Sequence, residues 1–377
     1  MKILLIYNRY VFRGGEDTYV DSLEKLLKDN GHVVIPYYKD SSLIVSTLDK
    51  IKASIGLFWN SSVASEIDTL INTHKPDVAH IHNIYPLISP TIYYVLKRKG
   101  IRIVQTIHNY KFVCPKNSLF RNNKVCELCV NKVVSYPAII FGCYHNSHFS
   151  SLIYSISFFL HHSLGAFYKI DKFIFPSLFT RDYYIKHAHI FPKKTVFLPH
   201  FVNNIPKSLS TNTSSSYFLF VGRLSEEKGI QNLLNIFSQL NNQRLVVIGD
   251  GALRQMLLKK HSQYKNIQFI NHVDNHLVLS YMRKSLAIIV PSLWYEVLPM
   301  VILEAIMCNK PLYVRKTKNT SRMLFGIKGI VLYDDSSLVS LLRDVKNIKK
   351  IVNYDKIQTI LSPDHHLHAL LKIYSSK

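Results

Sequence analysis

LAIIVPSLWYEVLPMVILEAIMCNKPLYVR, residues Leu286 to Arg315, reads as strand, loop, helix and strand in succession. Leu286 to Val290 is an apolar run of strand length, and Leu312 to Arg315 is another. Between them, Pro299 suits the first position of a helix and Asn309 the left-handed residue just past its end. Glu296 therefore falls in the loop and Glu304 on the helix, eight residues apart. The first free amides, near Met300 and Val301, should face the same crevice, where backbone donors and the helix dipole together hold a phosphate. Carboxylates accept hydrogen bonds from vicinal hydroxyls, so the combination suits a sugar nucleotide.

The same alternation extends in both directions. Strand-like runs are expected at Lys2 to Asn8, Val33 to Tyr37, Val78 to His82, Arg102 to Ile107, Lys172 to Phe175 and Thr195 to Leu198. A second set comprises Tyr217 to Val221, Arg244 to Ile248, Ile267 to Ile270, Leu286 to Val290, Leu312 to Arg315 and Ile330 to Tyr333. Helical or loop segments separate the runs. After the first strand, Val20, Leu23 and Leu27 give one helix an apolar face that Gly31 can end. Strands alternating with helices argue for an α/β protein with parallel, doubly wound sheets. NNIPKSLSTNTSSS, Asn203 to Ser216, is poor in apolar residues and reads as a linker. The expected layout is a domain at 1–202, the linker at 203–216, a second domain at 217–360 and a terminal segment at 361–377. Such sheets bind ligands beyond the carboxyl ends of their strands, and two facing crevices would make one cleft.

FLFVGRLSEEKGI, Phe218 to Ile230, carries a second motif. A strand ends at Gly222, and the following loop offers the guanidinium of Arg223 and the ammonium of Lys228 before a helix near Ile230. Arg forks onto phosphate oxygens, while Lys acts as a point charge. Gly222, Arg223, Leu224, Lys228 and Gly229 match G-R-L-x-x-x-K-G, and Glu296 with Glu304 matches E-x7-E. In these motifs, about 70 residues apart in that order, the chain resembles the retaining glycosyltransferases of family four. Their fold, GT-B, consists of two Rossmann-like domains facing a cleft, and the resemblance covers nearly the whole chain. It implies that the second domain binds the donor and the first mainly the acceptor. It also implies that the last helix, in HHLHALLKIY, His365 to Tyr374, crosses back to the first domain.

In the resembled family Glu304 would hold the ribose hydroxyls and Glu296 the donor sugar. Arg223, Lys228 and the helix-end amides can stabilise charge developing on a diphosphate leaving group. In the first half, Gly14 and Gly15 lie between strand and helix, where a residue without a side chain lets backbone approach a ligand, or simply makes a tight turn. The glycine pair matches the family's, with Gly15 on the donor side and Gly14 on the acceptor side. His82 and His108 each end a strand-like run and should face the crevice. By resemblance His108 lies near the transferred sugar and is the first catalytic candidate, with His82 and Asn109 meeting acceptor or sugar hydroxyls. Gly249, Asp250 and Gly251 follow a second-domain strand and could approach the nucleotide base or merely turn the chain.

Cys114, Cys126, Cys129 and Cys143 form C-x11-C-x2-C-x13-C with His145 and His148 close behind, a set open to structural zinc or to plain thiols in a reducing compartment. SSLIYSISFFLHHSLGAF, Ser150 to Phe167, is too short and mixed to span a bilayer and reads as a core helix or a face that touches lipid. No apolar run reaches membrane-span length, and the start continues into folded-looking sequence, so a cytoplasmic protein is expected. The formal charge of +23 predicts attraction to a polyanion. Basic residues come in scattered groups such as Lys97 to Lys99 and Lys346, Lys349 and Lys350, with no nucleic-acid module, which favours the anionic inner face of a membrane.

The expected activity is retaining transfer of a sugar from a nucleotide diphosphate to a hydroxyl of an oligosaccharide or lipid-linked acceptor. The resemblance places this in bacterial surface polysaccharide synthesis. No D-x-D occurs in the chain, so no catalytic metal is expected. Two alternatives are a nucleotide-sugar epimerase of the same fold and a basic noncatalytic binding protein. Three departures from the family pattern stand out. Pro299 replaces a usual glycine and has no amide hydrogen. Asn309 replaces another, and KTKNTSRMLF, Lys316 to Phe325, lacks the glycines and acid often found there.

Overall fold

The computed structural model describes residues 1–12, 14–203, 217–324, 327, 329–344 and 354–376. The expected linker from residue 204 on, Phe325, Lys346, Lys349 and Lys350 lie outside the described residues. The chain divides into two units. One holds Met1–Leu119, Cys126–Pro199 and Leu367–Lys377, and the other Phe120–Val125 and His200–His366.

In chain order the strands before the second sheet are β1 (Lys2–Arg9), β2 (Val33–Asp40), β3 (Val78–Ile81), β4 (Arg102–Thr106), the short antiparallel pair β5 (Phe120–Arg121) and β6 (Lys124–Val125), β7 (Lys172–Phe175) and β8 (Thr195–Phe197). Six of them form a parallel sheet in the order β2-β1-β3-β4-β7-β8. Its direction of winding reverses between β1 and β3, which makes the loops after those strands the expected ligand-facing edge. Ile3 to Tyr7 are wholly buried, as a parallel strand covered on both faces requires. The helix Gly15–Asp29 buries Val20, Leu23 and Leu27, and its third residue, Asp17, reaches back to accept the Gly14 amide at 3.0 Å. The final helix, Pro363–Ser375, supplies the first unit with Tyr374, whose hydroxyl lies 2.7 Å from His80 Nδ1 beneath the sheet's central strands. Arg102 donates to the Ile373 carbonyl at 3.0 Å.

The second sheet contains β9 (Phe218–Val221), β10 (Leu245–Ile248), β11 (Ile267–Ile270), β12 (Ala287–Val290), β13 (Leu312–Arg315) and β14 (Val331–Tyr333). They run parallel in the order β11-β10-β9-β12-β13-β14, reversing between β9 and β12. Side chains alternate across a strand, so each run feeds two cores. Phe218, Phe220, Leu245, Val247 and Ile289 pack on one face. Leu219, Val246, Ile248, Ile288 and Val290 pack on the other with Ile302, Leu303 and Ile306 of the helix Met300–Met307. Each full burial is worth about 1.5–3 kcal/mol, which is why the central strands β9, β10 and β12 are apolar without interruption.

Two local expectations change. Pro299 has ψ 129° and stands just before the helix, which begins at Met300; its ring-fixed φ of −66° suits the capping position as well as the first turn. Asn309 does take the left-handed conformation, at φ 51°. The stretch expected as a core helix forms the helix His148–Ser163, but its buried side holds Ser151, Ser155, Ser157 and His161 while Phe149, Leu152, Ile156 and Leu160 are exposed. Hydrogen bonds explain the inversion: Ser157 Oγ donates to the Leu57 carbonyl at 2.6 Å, and His161 Nε2 lies 3.0 Å from the same oxygen.

Candidate active site

At the switch point of the second sheet, the loops after β9 and β12 are locked together before any side chain is considered. Gly229, at φ 69°, caps the helix Ile230–Phe237, and a Cβ there would lie 2.1 Å from the Pro291 carbonyl oxygen. Only glycine allows that approach. The Leu293 amide also donates to the Glu227 carbonyl at 2.8 Å. Gly249, at φ 146°, is equally constrained, since its Cβ would lie 2.0 Å from the Gly222 carbonyl. The Leu224 amide donates to the Asp250 carbonyl at 2.8 Å, so the Gly249 to Gly251 turn is packed against the Arg223 loop.

On this frame Lys228 Nζ reaches Glu296 Oε1 at 2.6 Å, and Ser292 Oγ donates to the same oxygen at 2.6 Å. The ammonium also stands 5.4 Å from the centre of the Trp294 ring. Glu296 is only 7% exposed, so its charge depends on these partners. Asn319 Nδ2 donates to the Glu296 carbonyl at 2.6 Å and holds the loop from behind. Arg223, five residues before Lys228, is exposed, and among the described residues its guanidinium makes no ion pair or hydrogen bond. One cation is thus committed to a carboxylate and the other is open to an anion.

The helix that follows begins at Met300 with no side-chain cap, leaving its first amides, those of Met300 and Val301, for an anion. Glu304 lies one turn on, 5% exposed, and accepts from Asn275 Nδ2 at 2.6 Å. Burial raises its pKa above the ordinary glutamate value, and the Asn275 bond partly offsets that. The two glutamates therefore serve different partners, one a lysine and the other an amide.

The first unit carries a second polar constellation at its own switch point. Ile81 pairs with Gln105 across β3 and β4, so the residues just beyond meet. His82 Nδ1 lies 2.8 Å from His108 Nε2, which requires one ring to donate and the other to accept. Burial lowers the pKa of His108 to about 3, keeping it neutral. Tyr19 stacks its ring 5.4 Å from that of His108. Asn109 Nδ2 donates to the Tyr10 hydroxyl at 3.0 Å, and Tyr10 belongs to the loop that leads to Gly14 and Gly15. Glu16, His82, His108, Asn109 and Lys111 line one small cavity. Gly14, Gly15, His82, His108 and Asn109 thus gather at one edge of this sheet, as Gly222, Arg223, Lys228, Glu296, Met300, Val301 and Glu304 gather at the edge of the other.

Sequence reading missed several members. Lys111 sends its ammonium among the rings of Tyr144, Tyr154 and Tyr85, at 4.3, 4.7 and 5.5 Å, and donates to the Pro115 carbonyl at 2.9 Å. Burial lowers its pKa to about 7. Its place three residues after His108 was the available signal. Ser292, Asn275 and Asn319 carry none, since each reaches its glutamate by folding alone. Cys114, Cys126, Cys129 and Cys143 are half-buried thiols, and among the described residues no group of three or more Cys, His, Asp or Glu side chains is set to hold a metal ion. Burial raises the pKa of Cys114 and, together with the neighbouring thiols, pushes Cys129 up to about 12.

Comparisons with known proteins agree with this fold. A model described as Glycosyltransferase Family 4 matches residues 13–204, and one described as Glycosyl transferases group 1 matches residues 201–325. An uncharacterized 42.6 kDa protein in the cps region of Klebsiella pneumoniae is 21% identical over 87% of this chain and 79% of its own length. A lipopolysaccharide 1,2-N-acetylglucosaminetransferase of Salmonella typhimurium is 27% identical over 38% of this chain and 42% of its own. Among solved structures, Anabaena HepE in complex with UDP and glucose has a TM-score of 0.65 at 14% identity, with 100% of both chains covered, a likeness of fold.

Proposed function

The chain belongs to the GT-B glycosyltransferases that these two family models describe, and from that premise we propose that it moves a sugar from a nucleoside diphosphate to a hydroxyl of an oligosaccharide or lipid-linked acceptor, with retention at the anomeric carbon. The observation that carries this reading is the pairing of Lys228 with Glu296 beside the unpaired Arg223 and an uncapped helix start. Departure of a nucleoside diphosphate concentrates negative charge on its phosphate oxygens. Arg223 and the amides of Met300 and Val301 meet that charge without rearranging, which is where such preorganised donors lower a barrier most, and Lys228 joins them by turning from Glu296. Lys228 stays oriented by Glu296 until the phosphate arrives. Glu296 then faces the donor sugar, and Glu304 accepts from the ribose hydroxyls. Retention follows when the departing phosphate oxygen takes the acceptor proton on the face it leaves, so no separate base is required.

In the first unit, His82, His108 and Asn109 offer neutral hydrogen-bonding groups to sugar and acceptor hydroxyls. The cationic set does the work a divalent ion would otherwise do, in a chain without a D-x-D sequence. HepE's complex with UDP and glucose supports a uridine-type donor, and the capsule-region and lipopolysaccharide relatives support a surface polysaccharide as product. The charge of +23 supports work at the anionic inner face of the cell membrane.

The test is to incubate the protein with a panel of nucleotide sugars, with and without lipid-linked saccharide extract, in the presence of chelator. Acceptor-dependent release of nucleoside diphosphate and an α-linked product from an α-linked donor support the proposal. An isomerised donor without acceptor would mark an epimerase, and an untouched donor a binding protein.

A further inference from the structure

The helix His148–Ser163 buries Tyr154 with a row of small polar residues and turns an apolar stripe outward. A water-facing helix normally turns its apolar stripe inward. Here Ser151, Ser155, Ser157 and His161 are at most 4% exposed, while Phe149 is 68% and Leu160 41% exposed. The exposed set Phe149, Leu152, Ile156 and Leu160 recurs at steps of three and four, so it forms one continuous stripe.

A second helix extends the stripe. Thr47–Gly56 packs beside His148–Ser163, joined by the bonds of Ser157 and His161 to the Leu57 carbonyl. It too exposes its apolar residues, with Leu48 at 65%, Ile51 at 51% and Ile55 at 64%. Trp59, 50% exposed, follows it and sets its ring 6.0 Å from that of Tyr94. Lys169 places its ammonium 5.2 Å from the Tyr94 ring. Lys50 and Lys52 are exposed between the apolar residues of this helix. One flank of His148–Ser163, including Phe158 and Phe159, lines an apolar cavity edged by Lys132 and Lys194.

We infer that this two-helix face is where the protein docks on an anionic lipid surface. Isolated exposed apolar residues need no explanation, but contiguous stripes on adjoining helices do. The occupant follows from charge. Lysines interleaved with Leu, Ile, Phe and Trp suit phosphate headgroups over acyl chains, and aromatic rings suit the boundary between them. A second copy of a chain with charge +23 would repel this face. The Lys97 to Lys99 group is offset in part, since Lys97 pairs with Asp171, and Arg98 and Lys99 share Asp68. The inference rests on the membrane-side reading above and names the surface that serves it.

The test is flotation with vesicles of phosphatidylcholine alone and of phosphatidylcholine with phosphatidylglycerol. Three proteins are compared: wild type, Phe149→Ser/Leu152→Ser/Ile156→Ser, and Lys50→Glu/Lys52→Glu. All substituted side chains are exposed, so the fold is kept, and Leu332→Ser on the second unit serves as a control. Expected is binding of wild type to the anionic vesicles at least tenfold tighter than to neutral ones, a loss of about tenfold or more in both combined variants, and none in the control. UDP titration should give equal affinities in all four. Failure of wild type to bind anionic vesicles, or wild-type binding by the triple Ser variant, overturns the inference. So does a wild-type dimer that the triple variant turns into a monomer, which would make a second copy the occupant. Vesicle binding without donor turnover would instead count against the transferase reading alone.

Discussion

The two six-stranded sheets each place polar residues beyond the carboxyl ends of neighbouring central strands and arm them in opposite ways. Beyond β9 and β12 the groups are charged: a lysine held by a glutamate, a free arginine and a second, buried glutamate. Beyond β3 and β4 they are neutral: two imidazoles sharing one hydrogen bond, and an asparagine with its amide engaged at both ends. Burial keeps His108 uncharged, whereas the Lys228 partner keeps the buried Glu296 compensated. The difference matches the proposed substrates. A diphosphate changes charge during reaction and needs fixed ions, while hydroxyl groups need donors and acceptors that do not compete for a proton.

The largest effect should come from the cations. Arg223→Ala and Lys228→Ala should each lower turnover about a hundredfold, the scale of removing one preorganised charge stabiliser. They should differ in stability. Lys228→Ala strands a buried carboxylate and should lower the melting temperature, whereas exposed Arg223→Ala should not. Near-normal turnover in both would erase the contrast between a charged and a neutral edge.

Next is the frame that brings the charged loops together. Gly229→Ala should cost about 2 kcal/mol or more in urea unfolding, because its Cβ would overlap the Pro291 carbonyl and its φ of 69° disfavours a side chain. Transfer should fall with it, since Glu296 is carried on the displaced loop. An alanine variant of full stability would mean that the two loops are not held by this contact.

Much of this was legible beforehand, for physical reasons. A parallel strand covered on both faces is mostly apolar, so all twelve strands of the two large sheets showed as runs, within three residues at their ends. Asn309 was legible because a left-handed backbone restricts the residue, and Gly229 through its motif. Three features were hidden. The Lys228–Glu296 bond joins residues 68 apart, and neither side chain announces its partner. Lys111 in its tyrosine cage gathers rings from three separate segments. The helix His148–Ser163 shows that periodicity reveals a stripe without saying which way it faces; Ser157 and His161, bonded to the Leu57 carbonyl, turned it outward.

The glutamates sharpen the comparison within the charged edge. Glu304→Gln should weaken free UDP and intact donor alike, about tenfold, by removing a charged acceptor for ribose hydroxyls. Its raised pKa sets the sign for stability: ionisation is a cost in the folded state, absent below the unfolded value and complete once pH rises past the folded one. The glutamine variant should thus be no less stable than wild type at pH 7.5, yet bind worse. Glu296→Gln should slow transfer and leave UDP affinity equal or higher, because Lys228 is released from its carboxylate. Isothermal titration of both ligands into both variants checks this, and parallel losses would sink the division of roles.

The smallest effect belongs to the neutral edge. His108 has its pKa lowered to about 3, against about 6.5 in an unfolded chain. Above pH 6.5 the imidazole is neutral in both states and contributes nothing to the pH dependence. Below it the unfolded chain takes up a proton that the folded protein refuses, so stability falls by at most about 1.4 kcal/mol per pH unit down to the folded value. Urea unfolding at pH 7.5 and 5.5 should therefore show wild type losing about 1 kcal/mol more than His108→Gln, which keeps a hydrogen-bonding group but cannot titrate. The transfer rate should show no inflection from this residue over the same interval. An equal loss in both proteins would mean that His108 is charged in the folded state, and the two edges would then be armed alike.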